Sequence, residues 1–161
     1  MNRSKLNIQL FADGTPQPGD LTYLYVSTTL GGEKTQIADV QNIPSLVQPR
    51  NAVEYDALDY EQARQRKGTR PVATATINVY YTEEQHKALK AMADSTDDYW
   101  FFVRYPDSTK GEENDPLVQY FKAQIDLSNA EITKGNMIQD IITFYISEDV
   151  QESYGFPNAS I

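Results

Sequence analysis

Apolar and polar residues alternate with a period of two along most of the chain, and only one stretch repeats at helical spacing. LTYLYVSTT (21–29) is rich in β-branched and aromatic side chains and predicts a strand. LGGEKT follows, with Gly31 and Gly32 suited to positive φ, and predicts a hairpin loop into a second strand around TQIADV. QNIPSLVQP (41–49) has two prolines and no period, so it predicts an extended connection. In RPVATATINVYY (70–81), Val72, Thr74, Thr76 and Asn78 fall on one side and Ala73, Ala75, Ile77 and Val79 on the other, a strand with one buried face.

TEEQHKALKAMADS then predicts a helix over 82–94. Thr82 and Gln85 stand at capping-box spacing, Glu83 and Glu84 suit the positive end of the helix dipole, and Leu89, Met92 and Ala93 make a narrow apolar stripe beside Gln85 and Ala88. YWFFVRYP (99–106) is almost wholly apolar and reads as a central strand, with Trp100 in the core. LVQYFKAQIDLS (117–128) puts Phe121, Ala123, Ile125 and Leu127 inward and Lys122, Gln124 and Asp126 outward. NAEITKGN turns the chain into MIQDIITFYISED (137–149), where Ile138, Ile142, Phe144 and Ile146 share a face with Asp140, placing that acid near a sheet end or an opening. The expected architecture is mainly β: a β-sandwich or barrel of about seven strands with one flanking helix. Its body covers 21–149, between an N-terminal arm (1–20, ending in the turn-like TPQPGD) and a C-terminal tail (150–161).

Residues 44–70 do not fit a core. Within VEYDALDYEQARQRKGTRPV (53–72), Glu54, Asp56, Asp59 and Glu61 precede Arg64, Arg66, Lys67 and Arg70, and no bulky apolar residue stands between Tyr60 and Gly68. The segment reads as an extended loop, with room for a short strand at VEYDALD. Net charge sharpens the picture. Of the formal −9 over 161 residues, residues 1–70 contribute nothing (eight Lys/Arg, eight Asp/Glu), and residues 71–161 hold six Lys/Arg against fifteen Asp/Glu. The second half repels phosphate and offers the basic cluster an oppositely charged surface on another copy. RQRKGTR itself reads as a solvated loop, as a dock for an acidic protein surface, or as a phosphate contact; the last is weakened by the lack of interleaved aromatic residues.

The chain has no cysteine, so disulfides, thiolate metal sites and cysteine nucleophiles are excluded. His86 is the lone histidine and reads as a solvated helix-surface residue, with no serine nucleophile motif to serve. Asp97-Asp98 and GEENDP (111–116) read as acidic turns rather than cation loops. The glycine-containing loops lack phosphate-loop spacing, and NRS and NAS carry no weight as glycosylation sites. No stretch reaches the roughly 20 apolar residues of a membrane span, and MNRSKLNIQLFADG, interrupted by Asn7 and Gln9, is unlike a secretory signal. No enzyme, cofactor or metal function is expected.

The order of these features resembles the major tail proteins, or tail tube proteins, of long-tailed bacteriophages with non-contractile tails. The resemblance runs from about Thr22 to Asp149. It is carried by TATINVYY, the helix opening TEEQHKALKAM, the strand closing on FFVRYPD, and the hairpin YFKAQIDLSNAEITKGNMIQDIITFYISE. LNIQLFADG is also similar to the start of several phage structural proteins, and Ser108 stands where that family commonly has glycine, a departure confined to a turn.

The resemblance implies hexameric rings stacked into a hollow tube in the virion tail, assembled in the bacterial host cytoplasm, with no reaction catalysed. Implied partners are further copies of the chain, a tape-measure protein, a tail terminator, baseplate or tail-tip proteins, and DNA in passage. A long loop reaching neighbouring subunits would coincide with 44–70, making Glu54, Asp56, Asp59, Arg64, Arg66, Lys67 and Arg70 candidate docking residues. Gln124, Asp126, Gln139 and Asp140 are candidates for lining the channel, where an acidic lumen would keep DNA from sticking. Two alternatives stay open: a tube subunit of a contractile tail or secretion system, and a β-sandwich binding module using Tyr99, Trp100, Tyr105 and Tyr120 as a platform.

Overall fold

The computed structural model describes residue 19 and residues 22–72, 74–106 and 116–157. Among them are nine strands and one helix: β1 (Tyr23–Ser27), β2 (Thr35–Ile37), β3 (Ala52–Tyr55), β4 (Arg64–Lys67), β5 (Thr74–Tyr80), α1 (Glu83–Asp94), β6 (Tyr99–Arg104), β7 (Leu117–Asn129), β8 (Gln139–Ile146) and β9 (Gln151–Tyr154). Seven strands form one antiparallel sheet in the order β2-β1-β6-β7-β8-β5, with β9 on β7; β3 and β4 form a separate two-stranded sheet. The fold is the mainly β, helix-flanked architecture that the pattern predicts.

The two ends of the sheet meet. β2 pairs with β1, and the chain then kinks at Asp39, whose φ of 58° is unusual for a residue with a side chain. Beyond the kink Val40 bridges Val79 of β5, Tyr80 N–H donates to the Asp39 carbonyl (3.1 Å), and Gln41 N–H donates to that of Asn78 (2.8 Å). One short segment thus serves both edges and closes the sheet into a barrel, which removes most of the unpaired edge an open sheet would carry.

Inside, alternate residues of the long strands meet. Phe101 stacks on Phe121 (5.6 Å between ring centroids), and Phe144 meets both edge-on at 4.7 and 5.6 Å, one phenylalanine from each of three adjacent strands. Leu24, Ile77, Val79, Val103, Ala123, Ile125 and Ile142 complete this core. Helix α1 packs beside β7 and buries Leu89, with Met92 and Ala93 against the cluster, as its stripe predicts.

Several expectations are corrected. Thr82 occupies the N-cap position but makes no side-chain cap, and the Gln85 side chain does not complete a capping box because it is used elsewhere. Its amide accepts from Ala38 N–H and donates to the Ala38 carbonyl, both at 3.0 Å, tying the helix to the kinked corner after β2. His86 is drawn inward instead of being solvated. Its Nδ1 lies 2.8 Å from Asp140 Oδ2, and the side chains are 28% and 3% exposed, so the helix is pinned to β8 by a polar contact.

Of the tail expected at 150–161, residues 150–157 are described, and they are not simply a tail either. β9 extends the sheet along the first half of β7, and Phe156 packs edge-on against Tyr25 (5.3 Å) and Phe102 (5.9 Å) on the outer face of the barrel. Phe102 is thus buried on the side away from the core, where Val118 is buried too, with Lys34 Nζ about 5 Å from the Phe102 and Phe156 rings. Trp100 lies on this outer face, half-buried against Tyr120 and Lys122, and not in the core. The N-terminal arm before Gly19, Ala73, the acidic residues 111–115 of GEENDP, Ser108, and the NRS and NAS tripeptides lie outside the described residues.

Large apolar side chains here fall into two energetic classes. Phe144→Ala is expected to cost about 3–5 kcal/mol in denaturant unfolding, because it empties the centre of a packed triad. Leu58→Ala, at a fully exposed position, should change the unfolding free energy of the dilute protein by no more than about 0.5 kcal/mol.

Candidate assembly surfaces

The long connection expected at 44–70 is only partly a loop. Its sign partition becomes a β-hairpin, with acidic residues on β3 and the tip and basic residues on β4. The register sets Tyr55 opposite Arg64, Glu54 opposite Gln65, Val53 opposite Arg66 and Ala52 opposite Lys67. The basic half was expected as loop because RQRK offers no apolar face; cross-strand pairing, not burial, makes it a strand.

Local contacts hold the hairpin together. Gln65 donates to Glu54 Oε1 (2.7 Å), Asp56 Oδ1 accepts from Ala57 N–H (2.8 Å), and the Arg64 guanidinium lies 3.9 Å from the centre of the Tyr60 ring. Arg66 stands 5.5 Å from the Tyr55 ring, which meets Tyr60 edge-on at 6.1 Å. At the stem, Gly68 N–H donates to the Asn51 carbonyl (2.6 Å) and Asn51 N–H to that of Thr69 (2.8 Å). A Cβ at Gly68 would fall 2.7 Å from Val53 Cγ2, so this crossing needs glycine.

All four residues of β4 are exposed, as are Asp56, Asp59 and Arg70, and Arg64, Arg66, Lys67 and Arg70 have no ion-pair partner among the described residues. Arg70 lines a crevice with Leu46–Gln48 and Glu148–Val150, where the hairpin leaves the barrel. An isolated two-stranded hairpin is marginal in water, and this one is assembled from charged and exposed residues.

The candidate channel residues divide. Gln124 and Asp126 of β7 and Gln139 of β8 share the outer face of the β7-β8-β5 part of the sheet, beside Asn78, which donates to Gln139 Oε1 at 3.4 Å. Gln124 donates to the Thr96 carbonyl (2.9 Å), and Asp126 Oδ1 accepts from Leu127 N–H (2.9 Å). Asp140 is on the opposite face, 2% exposed under the helix and held by His86, so it is withdrawn from any lining role. The remaining face mixes Gln, Thr and Asn with Ile141, Tyr80 and Tyr145, and its charges are Asp126 and, toward β6, Lys122.

The four aromatics proposed as a binding platform do not form one. Trp100 and Tyr120 are neighbours on the outer face (6.1 Å), Tyr99 packs toward the core, and Tyr105 borders a separate cleft of about 780 Å³ beneath residues 40–47. Burial, and then the charge of Glu152, hold the Tyr105 hydroxyl above the ordinary tyrosine range. Asp98 faces Lys122 at 3.8 Å, and no cluster of three metal-ligating groups occurs among the described residues. No described helix is long and apolar enough to cross a membrane.

Sequence reading missed two exposed features. Ile132, Met137, Ile138 and Tyr81 leave apolar surface open at the β7–β8 turn, and Glu148, Asp149 and Glu152 make an exposed acidic stretch on and before β9. The first was hidden because alternation predicts which way a side chain points but not whether anything covers it. The second was hidden because β9 itself was read as tail.

No protein-family model matches the chain, and no curated protein matches it by sequence. Solved structures do match it in fold. A chain of the anti-feeding prophage baseplate, in a six-fold symmetrised cryo-EM structure, superposes with a TM-score of 0.64 at 9% identity, covering 92% of this chain and 99% of that one. A chain of the sheath-tube complex of the PVC extracellular contractile injection system, in its extended state, gives 0.60 at 14% identity, covering 94% and 100%. The PVC sheath/tube terminator structure gives 0.58 at 13%, covering 88% and 99%. The chain therefore shares, over nearly its whole length, a fold used in contractile injection assemblies.

Proposed function

We infer that the protein is a structural subunit of a tail-like tube, built from rings of identical copies stacked around a channel. The observation that carries this reading is the fold match, which takes in nearly all of each compared chain. The projecting hairpin adds support. A charged, exposed, two-stranded element is retained for a partner rather than for the barrel's own stability, and head-to-tail docking onto the next copy builds open stacks rather than closed dimers.

In this reading Arg64, Arg66, Lys67 and Arg70 engage acidic residues of a neighbouring copy, with Glu54, Asp56 and Asp59 shaping the hairpin and its tip. The face of Gln124, Asp126 and Gln139 lines the channel, where Asp126 repels phosphate and the uncharged amides do not hold a polyanion by charge. Partners are further copies, a tape-measure protein, a terminator and baseplate or tail-tip proteins. The particle is a virion tail assembled in the host cytoplasm, and no reaction is catalysed. A tube of a contractile particle is the second reading, favoured by the origin of the matched structures. The sequence resemblance favours a non-contractile tail, and the barrel-and-helix unit suits both.

Negative-stain electron microscopy of concentrated protein is the test: striated tubes or rings with a central hole are expected, and monomers at every concentration and salt would count against it. Reversing Arg64, Arg66, Lys67 and Arg70 to Glu together should lower the assembled fraction at least ~10-fold at low salt, and rising ionic strength should weaken wild-type assembly. Replacing Gln124, Asp126 and Gln139 by Lys should leave tubes intact but make them retain short duplex DNA in a filter assay, with the retention lost as salt rises.

A further inference from the structure

β4 and β9 each keep an open backbone edge, as β3 does, and the edges of β4 and β9 carry opposite charge. β4 pairs only with β3 and presents Arg64, Arg66 and Lys67 to solvent. β9 pairs only with β7, carries Glu152 and is preceded by Glu148 and Asp149, all three exposed. Among the described residues no backbone hydrogen bond joins β4 or β9 to a third strand. Tyr154, 80% exposed at the end of β9, leaves an aromatic face beside this edge.

Within one chain the two edges are kept apart. β5 opposes Thr74 to Tyr145 of β8, so the chain leading into β5 runs back alongside Glu148–Val150, with Arg70 and Pro71 in the crevice between them. Pro71 has no N–H with which to extend the ladder, and the Gly68–Asn51 and Asn51–Thr69 bonds turn the stem toward β3. The edge of β9 thus stays open in its own copy.

We propose that β4 of one copy adds as an extra strand to the open edge of β9 of a second copy, its basic side chains meeting Glu148, Asp149 and Glu152. This rests on the reading of the protein as a self-assembling subunit and names the surface that receives the hairpin. Main-chain hydrogen bonds would supply the attachment and charge the selection. Two β4 edges repel each other, as do two β9 edges, so of the pairings between these two edges charge favours β4 with β9. Each copy then has one donor edge and one acceptor edge, and the contact propagates.

The test uses two full-length variants. One carries R64E, R66E and K67E, so that both edges are acidic; the other carries E148K, D149K and E152K, so that both are basic. Each alone should lose assembly at least ~10-fold by sedimentation and electron microscopy, and an equimolar mixture should regain it, because the acidic β4 of one meets the basic β9 of the other. Recovery on mixing also shows that both variants fold. In a parallel experiment Gln65→Cys and Tyr154→Cys copies are mixed under mild oxidation, which this cysteine-free chain allows. Disulfides between the two variants should exceed those within either one.

Variants that assemble normally alone would overturn the edge pairing while leaving the tube reading standing. So would variants that fail alone and stay unassembled when mixed, or a lack of mixed disulfides in formed tubes. Failure of the wild-type chain to form any higher-order species would overturn both readings.

Discussion

The fold depends on one crossing. Between Ile37 and Gln41 the backbone leaves β1, passes through left-handed conformation at Asp39 and joins β5, turning an open sheet into a barrel. Without it, β5 and β2 would expose unpaired edges, and the face that holds Phe101, Phe121 and Phe144 would lose its enclosure. The helix is fastened to the same corner. Gln85 grips both backbone groups of Ala38, and His86, one residue later, reaches the buried carboxyl of Asp140 on β8. Two consecutive polar side chains at the start of α1 thus lock it to both sides of the closure.

The closure also determines what is left over. With the barrel's own hydrogen bonds mostly satisfied within it, open edges remain on the β3–β4 hairpin and on β9, and those of β4 and β9 are charged rather than apolar. Edge charge is a common defence against aggregation, and here it is of opposite sign on the two strands, which turns a defence into a means of selection. The outer surface divides similarly. Aromatic residues under Phe156 cover the β1-β6-β7 side, while the β7-β8-β5 side presents mostly uncharged Gln, Thr, Asn and Tyr side chains.

Much of the body was legible in the sequence because burial imposed a pattern. The alternations at 74–80 and 117–127 and the Leu89–Met92–Ala93 stripe report which side faces a core, and they locate β5, β7 and α1 closely. β4 and β9 were misread for the converse reason. RQRK and QESY bury almost nothing, so neighbouring backbone makes them strands, and a periodicity cannot carry that information. His86 and Asp140 were individually ordinary, and only the fold brings residues 54 positions apart within 2.8 Å. Thr82 and Gln85 kept the spacing of a capping box, but a tertiary partner for Gln85 won over the local one.

The central claim is that the β3–β4 hairpin stands unsatisfied in a single copy and is completed by another. Hydrogen–deuterium exchange compares its backbone directly in dilute and assembled protein. The account predicts fast exchange for the amides of 52–67 when dilute and strong protection on assembly, while those of β5, β6 and β7 are protected in both. A hairpin equally protected in the dilute monomer, or equally unprotected in an assembled tube, would contradict it.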